Sequence, residues 1–157
     1  SDGFVVIADT QTKGKGTQGR TWHSESTGGL YYSLAIKPLG FDFEAAEYYH
    51  HAIAEGIQTV VQSLTNITLA IRFPNDLFLA EKKVGGVLME SAMKATQNPT
   101  LDYLIIGIGL NINQESFPTD LKNIATSFHL ETHQTFNKKK LIKPLTHKLK
   151  AIFFSTT

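Results

Sequence analysis

Lys13, Lys15 and Arg20 bring three cations into one short segment that also carries Gly14, Gly16 and Gly19. Glycines reach positive φ and let main-chain N–H groups come close to a ligand, so such a segment suits a polyanion. A solvated glycine-rich turn with a few basic side chains has the same composition, and the loop by itself does not separate the two. Gly14 to Thr21 also nearly spells the phosphate-binding loop of nucleoside triphosphatases, with Arg20 and Thr21 where lysine and serine or threonine belong. That motif requires a helix opening directly behind it to hold the phosphates, and Trp22 to Gly29 has no helical pattern. Arginine's planar fork also differs from the compact lysine ammonium.

Three further groups invite chemistry. Arg72-Phe73-Pro74-Asn75-Asp76 puts a cation, an amide and a carboxylate at a proline-fixed corner. Lys83 starts an otherwise apolar strand and is followed by Gly85 and Gly86. Gly107-Ile108-Gly109-Leu110-Asn111 ends a strand with two glycines that allow close approach of a ligand or a neighbouring chain. Each has a plain structural alternative: an edge-strand gatekeeper for Lys83, a turn former for Asp76. The six histidines do not compose a metal site by spacing. His50 and His51 point about 100° apart on a helix, and His129 and His133 flank residues that do not match the H-E-x-x-H pattern.

These residues need elements to position them. Phe4 to Ala8 is a continuous apolar run that predicts a strand buried on both faces. Asp9 to Gly29, with five glycines, predicts a long loop. Leu30 to Ile36 alternates and predicts a second strand. Asp42 offers an N-cap for a helix over about Phe43 to Leu64. Leu69 to Phe73, Leu77 to Ala80, Lys83 to Ala92 and Asp102 to Asn111 read as strands, Ile124 to Phe128 as a short helix. Leu141, Leu145, Leu149 and Ile152 line a last helix that Pro144 either kinks or opens. The sum is an α+β domain: one mixed β-sheet with helices packed mainly on one face.

A chain of 157 residues with 41% apolar content predicts one domain with a single core. A net charge of +1 gives no global field toward nucleic acid or membrane, so anion binding must be local. The absence of cysteine excludes disulfides and thiol catalysis, and fits the cytoplasm as the expected compartment. No apolar run approaches the roughly 20 residues of a membrane span.

Taken in order, five motifs resemble the biotin–protein ligases. Those enzymes carry Gly-Arg-Gly-x-x-Gly-Arg-x-Trp, Leu-Tyr-x-Ser, Lys/Arg-Trp/Phe-Pro-Asn-Asp, Lys-x-x-Gly-Ile/Val-Leu and Gly-x-Gly-Ile/Leu-Asn. Here stand Gly14 to Trp22, Leu30-Tyr31-Tyr32-Ser33, Arg72 to Asp76, Lys83 to Leu88 and Gly107 to Asn111. The resemblance implies a catalytic domain of the class II aminoacyl-tRNA synthetase/biotin ligase-like fold. Such a domain activates biotin with ATP as an acyl-adenylate and passes the biotinyl group to a lysine of a biotin carboxyl carrier protein. By motif position Lys83 would bridge the biotin carboxylate and the α-phosphate, Arg20 would hold phosphates, and Asp76 with Asn75 would order the strand end near the incoming lysine. Gln11, Gly14 and Lys15 would contact biotin or the adenylate linkage, with Gly16, Thr17 and Gly19 completing the loop. Trp22 would close over it, Gly86 would admit biotin, Asn111 would meet the nucleotide, and Gly107, Gly109 and Leu110 join the substrate- and cofactor-binding set through the fifth motif. Tyr32 and Ser33 join the binding set through the second motif. Mg²⁺ would accompany ATP, and a homodimer through the sheet belongs to the same resemblance.

The chain departs from the pattern at two places: Lys15 replaces the first arginine, and Thr17 stands where many members have another. Weaker retention of the adenylate is the expected consequence. Residues 1–157 are expected to lack the family's upstream biotin-reading segment and its small C-terminal barrel. Lipoate or octanoate ligases and transferases share the architecture and are the enzymatic alternative. A non-catalytic biotin- or nucleotide-binding module is the other.

Overall fold

The computed structural model describes residues 3–98 and 100–154. Six strands form one sheet: β1 (Phe4–Ala8), β2 (Leu30–Ile36), β3 (Ala70–Arg72), β4 (Asp76–Leu79), β5 (Lys82–Met93) and β6 (Leu101–Leu110). Their order across the sheet is β1-β2-β6-β5-β4-β3, and every ladder is antiparallel. The parallel pairing among the described residues is an isolated bridge between Lys83 and Ala125. Helices α1 (Ala46–Thr65) and α3 (Lys139–Phe154) pack on each other and on one face, with a short α2 (Phe128–Thr132) between β6 and α3. The α+β expectation holds.

Alternation builds the core. Leu30, Tyr32, Leu34 and Ile36 of β2 pair with Leu110, Ile108, Ile106 and Leu104 of β6, and all eight are buried under the helices. Ile53, Ile57 and Val61 of α1 and Leu141, Leu145 and Leu149 of α3 close that core at helical spacing. Asp42 caps the approach to α1 by accepting the Glu44 N–H at 2.9 Å, as the sequence predicts. Pro144 lies inside α3, where its missing N–H removes one helical bond.

Two expectations are corrected. β1 is not buried on both faces: Phe4 is 66% and Val6 54% exposed. It is an edge strand paired to β2 alone, and no described helix covers its other side, so an apolar run here does not mean a central strand. The short helix also starts later than Ile124. Lys83 donates its N–H to the Ile124 carbonyl at 2.9 Å and accepts the Thr126 N–H at 3.0 Å, so that backbone pairs with β5 and cannot enter a helix. The helix opens at Ser127, whose Oγ accepts the Leu130 N–H at 3.0 Å and donates to the Gln114 carbonyl at 2.6 Å.

Ser127 is fully buried, so Ser127→Ala removes both the cap and a buried bond. A loss of about 1–3 kcal/mol of unfolding free energy is expected from urea titration, with the denaturant slope unchanged.

Candidate active site

The sheet face away from the helices gathers the candidate residues, and a bulge aims its lysine. Along the β4–β5 ladder Asp76 pairs with Gly86 and Leu77 with Gly85, but Phe78 pairs with Lys83, which leaves Val84 without a partner on β4. Residues three apart in a regular strand point to opposite faces. The extra residue brings Lys83 round to the face of Gly86 and sends Val84 into the core. Lys83 Nζ then lies 2.9 Å from Asp76 Oδ1, and its tip would be 3.9 Å from a Cβ placed on Gly86. Both side chains of the pair are about one-third exposed.

The glycine-rich loop folds back as two arms. The Gln11 N–H donates to the Ser24 carbonyl at 2.8 Å, the Trp22 N–H to the Gly14 carbonyl at 2.9 Å, and Lys15 bridges to Thr21. The space where Gly14 would carry a Cβ is filled by the Ser24 hydroxyl and the Trp22 carbonyl, so the arms close only on glycine. Gly19 turns the tip at φ +73. The return arm lays the Trp22 indole on the sheet. A Cβ on Gly109 would come within 2.5 Å of its Nε1, while one on Gly86 would meet the ring at 3.7 Å. Lys83 Nζ stands 5.4 Å from the ring centroid.

Trp22 and Lys83 thereby divide two adjoining cavities. The larger, about 270 Å³, is lined by Gln11, Lys15, Ser33, Asn75, Asp76, Gly86, Gly107 and Gly109, with Gly16, Thr17, Trp22 and Lys83 shared between both. The smaller, about 190 Å³, takes Arg20, His23 and Asn111, with Phe117, Leu121 and Ile124 as an apolar wall. The arrangement offers cations and donors on either side of one lysine, fit for two anionic groups brought edge to edge.

Some predicted residues stand elsewhere. Tyr32 borders the larger cavity, but its side chain lies on the helix face, with its hydroxyl 2.7 Å from Thr146 Oγ1 of α3. Leu110 is buried on the same face, where a Cβ on Gly85 would strike it at 2.6 Å. Alternation with Leu30, Leu34 and Ile36, and with Ile106 and Ile108, is the signal that assigns both to the core. Gly14 and Gly19 shape the loop and line neither cavity. Asn75 lines the larger cavity but is tied to β5, donating to the Val87 carbonyl at 2.9 Å. Asn111 accepts from Gln114 Nε2 at 3.0 Å and so is held in place at the smaller cavity.

Other lining residues escape sequence reasoning: Tyr31, Glu90 and Ile105 in the larger cavity, His23 and Phe117 in the smaller. For Tyr31 and Ile105 the β2–β6 register, which turns odd-numbered residues to the open face, is the missing signal. Tyr31 donates to the Ser26 carbonyl at 2.7 Å and bolts the end of the loop to β2, and burial raises its phenol pKa. Lys138 pins the same end through the carbonyls of Thr27 and Gly29, and burial lowers its pKa against the pull of Asp9. His50 and His51 take local partners, the Ala46 carbonyl and Glu55. Among the described residues no three His, Asp or Glu converge on a metal position, and no helix is long and apolar enough to cross a membrane.

Residues 1–111 match the Biotin/lipoate A/B protein ligase family. The bifunctional ligase/repressor BirA of Bacillus spizizenii is 33% identical over 144 residues, which cover 90% of this chain and 43% of that protein. The biotin–protein ligase of Homo sapiens is 27% identical, across 91% of this chain and 19% of its own length. This chain therefore spans less than half of either relative. Among solved structures, the biotin protein ligase from Aquifex aeolicus in complex with biotin and ATP superposes with a TM-score of 0.80 at 32% identity, over 99% of this chain and 64% of that one. The biotin protein ligase from Leishmania major in complex with biotin gives 0.78 at 28% identity, over 98% and 65%. With the sequence match running through the loop, the bulged lysine strand and the paired glycines of β6, this chain belongs to the biotin/lipoate A/B protein ligase family.

Proposed function

We propose that this domain activates biotin with ATP to biotinyl-5′-AMP and transfers the biotinyl group to a lysine of a carboxyl carrier protein. The observation that carries this reading is the pair of cavities meeting at Trp22 and Lys83, one lined largely by the sheet and one by the loop's return arm. An acid in the larger cavity and a nucleotide in the smaller would present carboxylate and α-phosphate to the same ammonium. The carboxylate oxygen attacks the α-phosphorus, the bond to the bridging oxygen of the β-phosphate breaks, and pyrophosphate leaves. A neutral amine of the carrier then attacks the acyl carbon, the bond from that carbon to the phosphoryl oxygen breaks, AMP leaves, and the amine's proton passes to solvent.

Lys83 acts by charge, holding two anions together as the transition state gathers negative charge, and Asp76 fixes where that ammonium points. Arg20 faces the smaller cavity, on the phosphate side. Trp22 excludes water from the seam. Mg²⁺ delivered with ATP would draw its ligands chiefly from the phosphates, which suits a chain in which no three His, Asp or Glu converge among the described residues, and would neutralise pyrophosphate. The cytoplasm, where ATP and carrier proteins meet, is the proposed compartment.

Pyrophosphate release that requires both biotin and ATP is the expected result of a turnover assay. Release that depends on lipoate, or binding of biotin and ATP without release, overturns the reading. Lys83→Ala should lower adenylate formation by roughly a hundredfold or more while leaving the circular dichroism spectrum intact, because the backbone bonds of Lys83 to Ile124 and Thr126 are kept. Equal turnover would refute its role. Trp22 is the chain's one tryptophan, so its fluorescence reports the dividing wall directly. Gly109→Ala should displace the indole and shift that emission toward red. Gly107→Ala, whose Cβ meets Leu88 at an ordinary 3.6 Å, should leave it in place.

A further inference from the structure

Lys13 and Lys15 differ from Lys83 in how their charge is used. Lys83 is paired with Asp76, whereas neither loop lysine has a carboxylate within ion-pair reach among the described residues. Both are exposed and both line the larger cavity. Alternate residues Gln11, Lys13 and Lys15 border it, while Thr12 and Gly14 do not. Gly14's vacant side is packed against Ser24 and Trp22 on the return arm, which leaves its neighbours turned the other way, toward the sheet. Arg20, the loop's third cation, borders only the smaller cavity, and Thr17 brings a hydroxyl in place of charge. The larger cavity thus counts Lys13, Lys15 and Lys83 against Asp76 and Glu90. Its surplus is one positive charge at neutral pH, and removing Lys13 erases it.

We propose that Lys13 is a binding residue that holds the phosphoryl group of the acyl-adenylate, supplying at the larger cavity the charge that Thr17 does not. This role rests on the adenylation reading above. An acyl-adenylate carries one negative charge on the phosphoryl oxygens of its mixed anhydride, equal and opposite to the surplus of the cavity. Once pyrophosphate has left, that charge is what remains for the protein to grip until an amine arrives. An unpaired ammonium on a loop held by three backbone contacts to its own return arm can make a charge-assisted bond there without giving up another partner.

The test uses the full chain with biotin and ATP labelled at the α-phosphate. Protein is separated by gel filtration at low salt, and the loss of labelled adenylate from it is timed. Lys13→Gln should lose adenylate roughly tenfold faster than the wild type. Lys13→Arg should retain it at nearly the wild-type rate, and the gap between Lys13→Gln and wild type should narrow at high ionic strength. Lys140→Gln, a change of equal charge on the exposed side of α3, should behave as wild type. Equal retention by Lys13→Gln and wild type overturns the role, as does equally fast loss from Lys140→Gln. Absence of any biotin-dependent adenylate in the wild type overturns the activation reading itself, and this role with it.

Discussion

One unpaired residue in β5 governs the whole site. Val84 has no partner on β4, and this gives the strand a half-turn that brings Lys83 out of the core side and over Asp76. A bulge of this kind weakens a ladder locally, so its surroundings must hold it. They do so through the segment that follows β6: the Asn111 N–H donates to the Val84 carbonyl, and Lys83's own N–H and carbonyl are taken by Ile124 and Thr126. The segment from Asn111 to Ser127 is therefore a brace for the lysine strand as well as the wall of the smaller cavity. This explains why irregular chain there is so thoroughly bonded, with Ser127 and Gln114 buried at its joints.

The second constraint is the flat seat for Trp22. An aromatic side chain can lie on a sheet only where the sheet has no side chains, and Gly109 and Gly86 are register partners on neighbouring strands. The paired glycines of the two motifs, distant in sequence, make one smooth patch. Because the indole is fixed there, the glycine-rich loop has a defined return path, and its cationic arm is carried over the larger cavity. Loop, bulge and glycine patch are thus one construction: the patch orients the tryptophan, the tryptophan orients the loop, and the bulge raises the lysine to the seam between the cavities.

How much of this was legible in the sequence follows from the same physics. Strands β2 and β6 alternate cleanly because one face is buried and the other open, and their ranges were readable to within a residue or two. That very pattern places Tyr32 and Leu110 on the core face, though a motif match alone assigns them to the ligand. β1 misleads because an apolar run records burial only when neighbours exist on both sides, and an edge strand has one. The bulge leaves no compositional trace in Lys-Val-Gly-Gly-Val; only the demand that Lys83 and Gly86 serve one ligand hints at it. The start of α2 had two equal N-cap candidates in the sequence, Asn123 before Ile124 and Ser127 before Phe128, and the backbone pairing that excludes the earlier one is a long-range contact that local reading does not see.

The electrostatics divide by range. A net charge of +1 gives the molecule no field of its own, so on the proposed reading attraction of a nucleotide falls to Lys13, Lys15 and Arg20, which have no ion-pair partner among the described residues and whose exposed charge is effective over roughly a Debye length of 8–10 Å. Lys83 cannot serve that purpose, since Asp76 cancels its charge as seen from outside. At contact distance the order reverses. An exposed lysine on a loop is spread over many rotamers, whereas Lys83 is held by its carboxylate beneath the indole. On that reading, the pairing that silences Lys83 at long range is what would let it act at short range, because two anions entering on either side would meet an ammonium already in position. On the proposed adenylation reading, the loop's charge gathers the polyanion and the bulged strand sets where it would react.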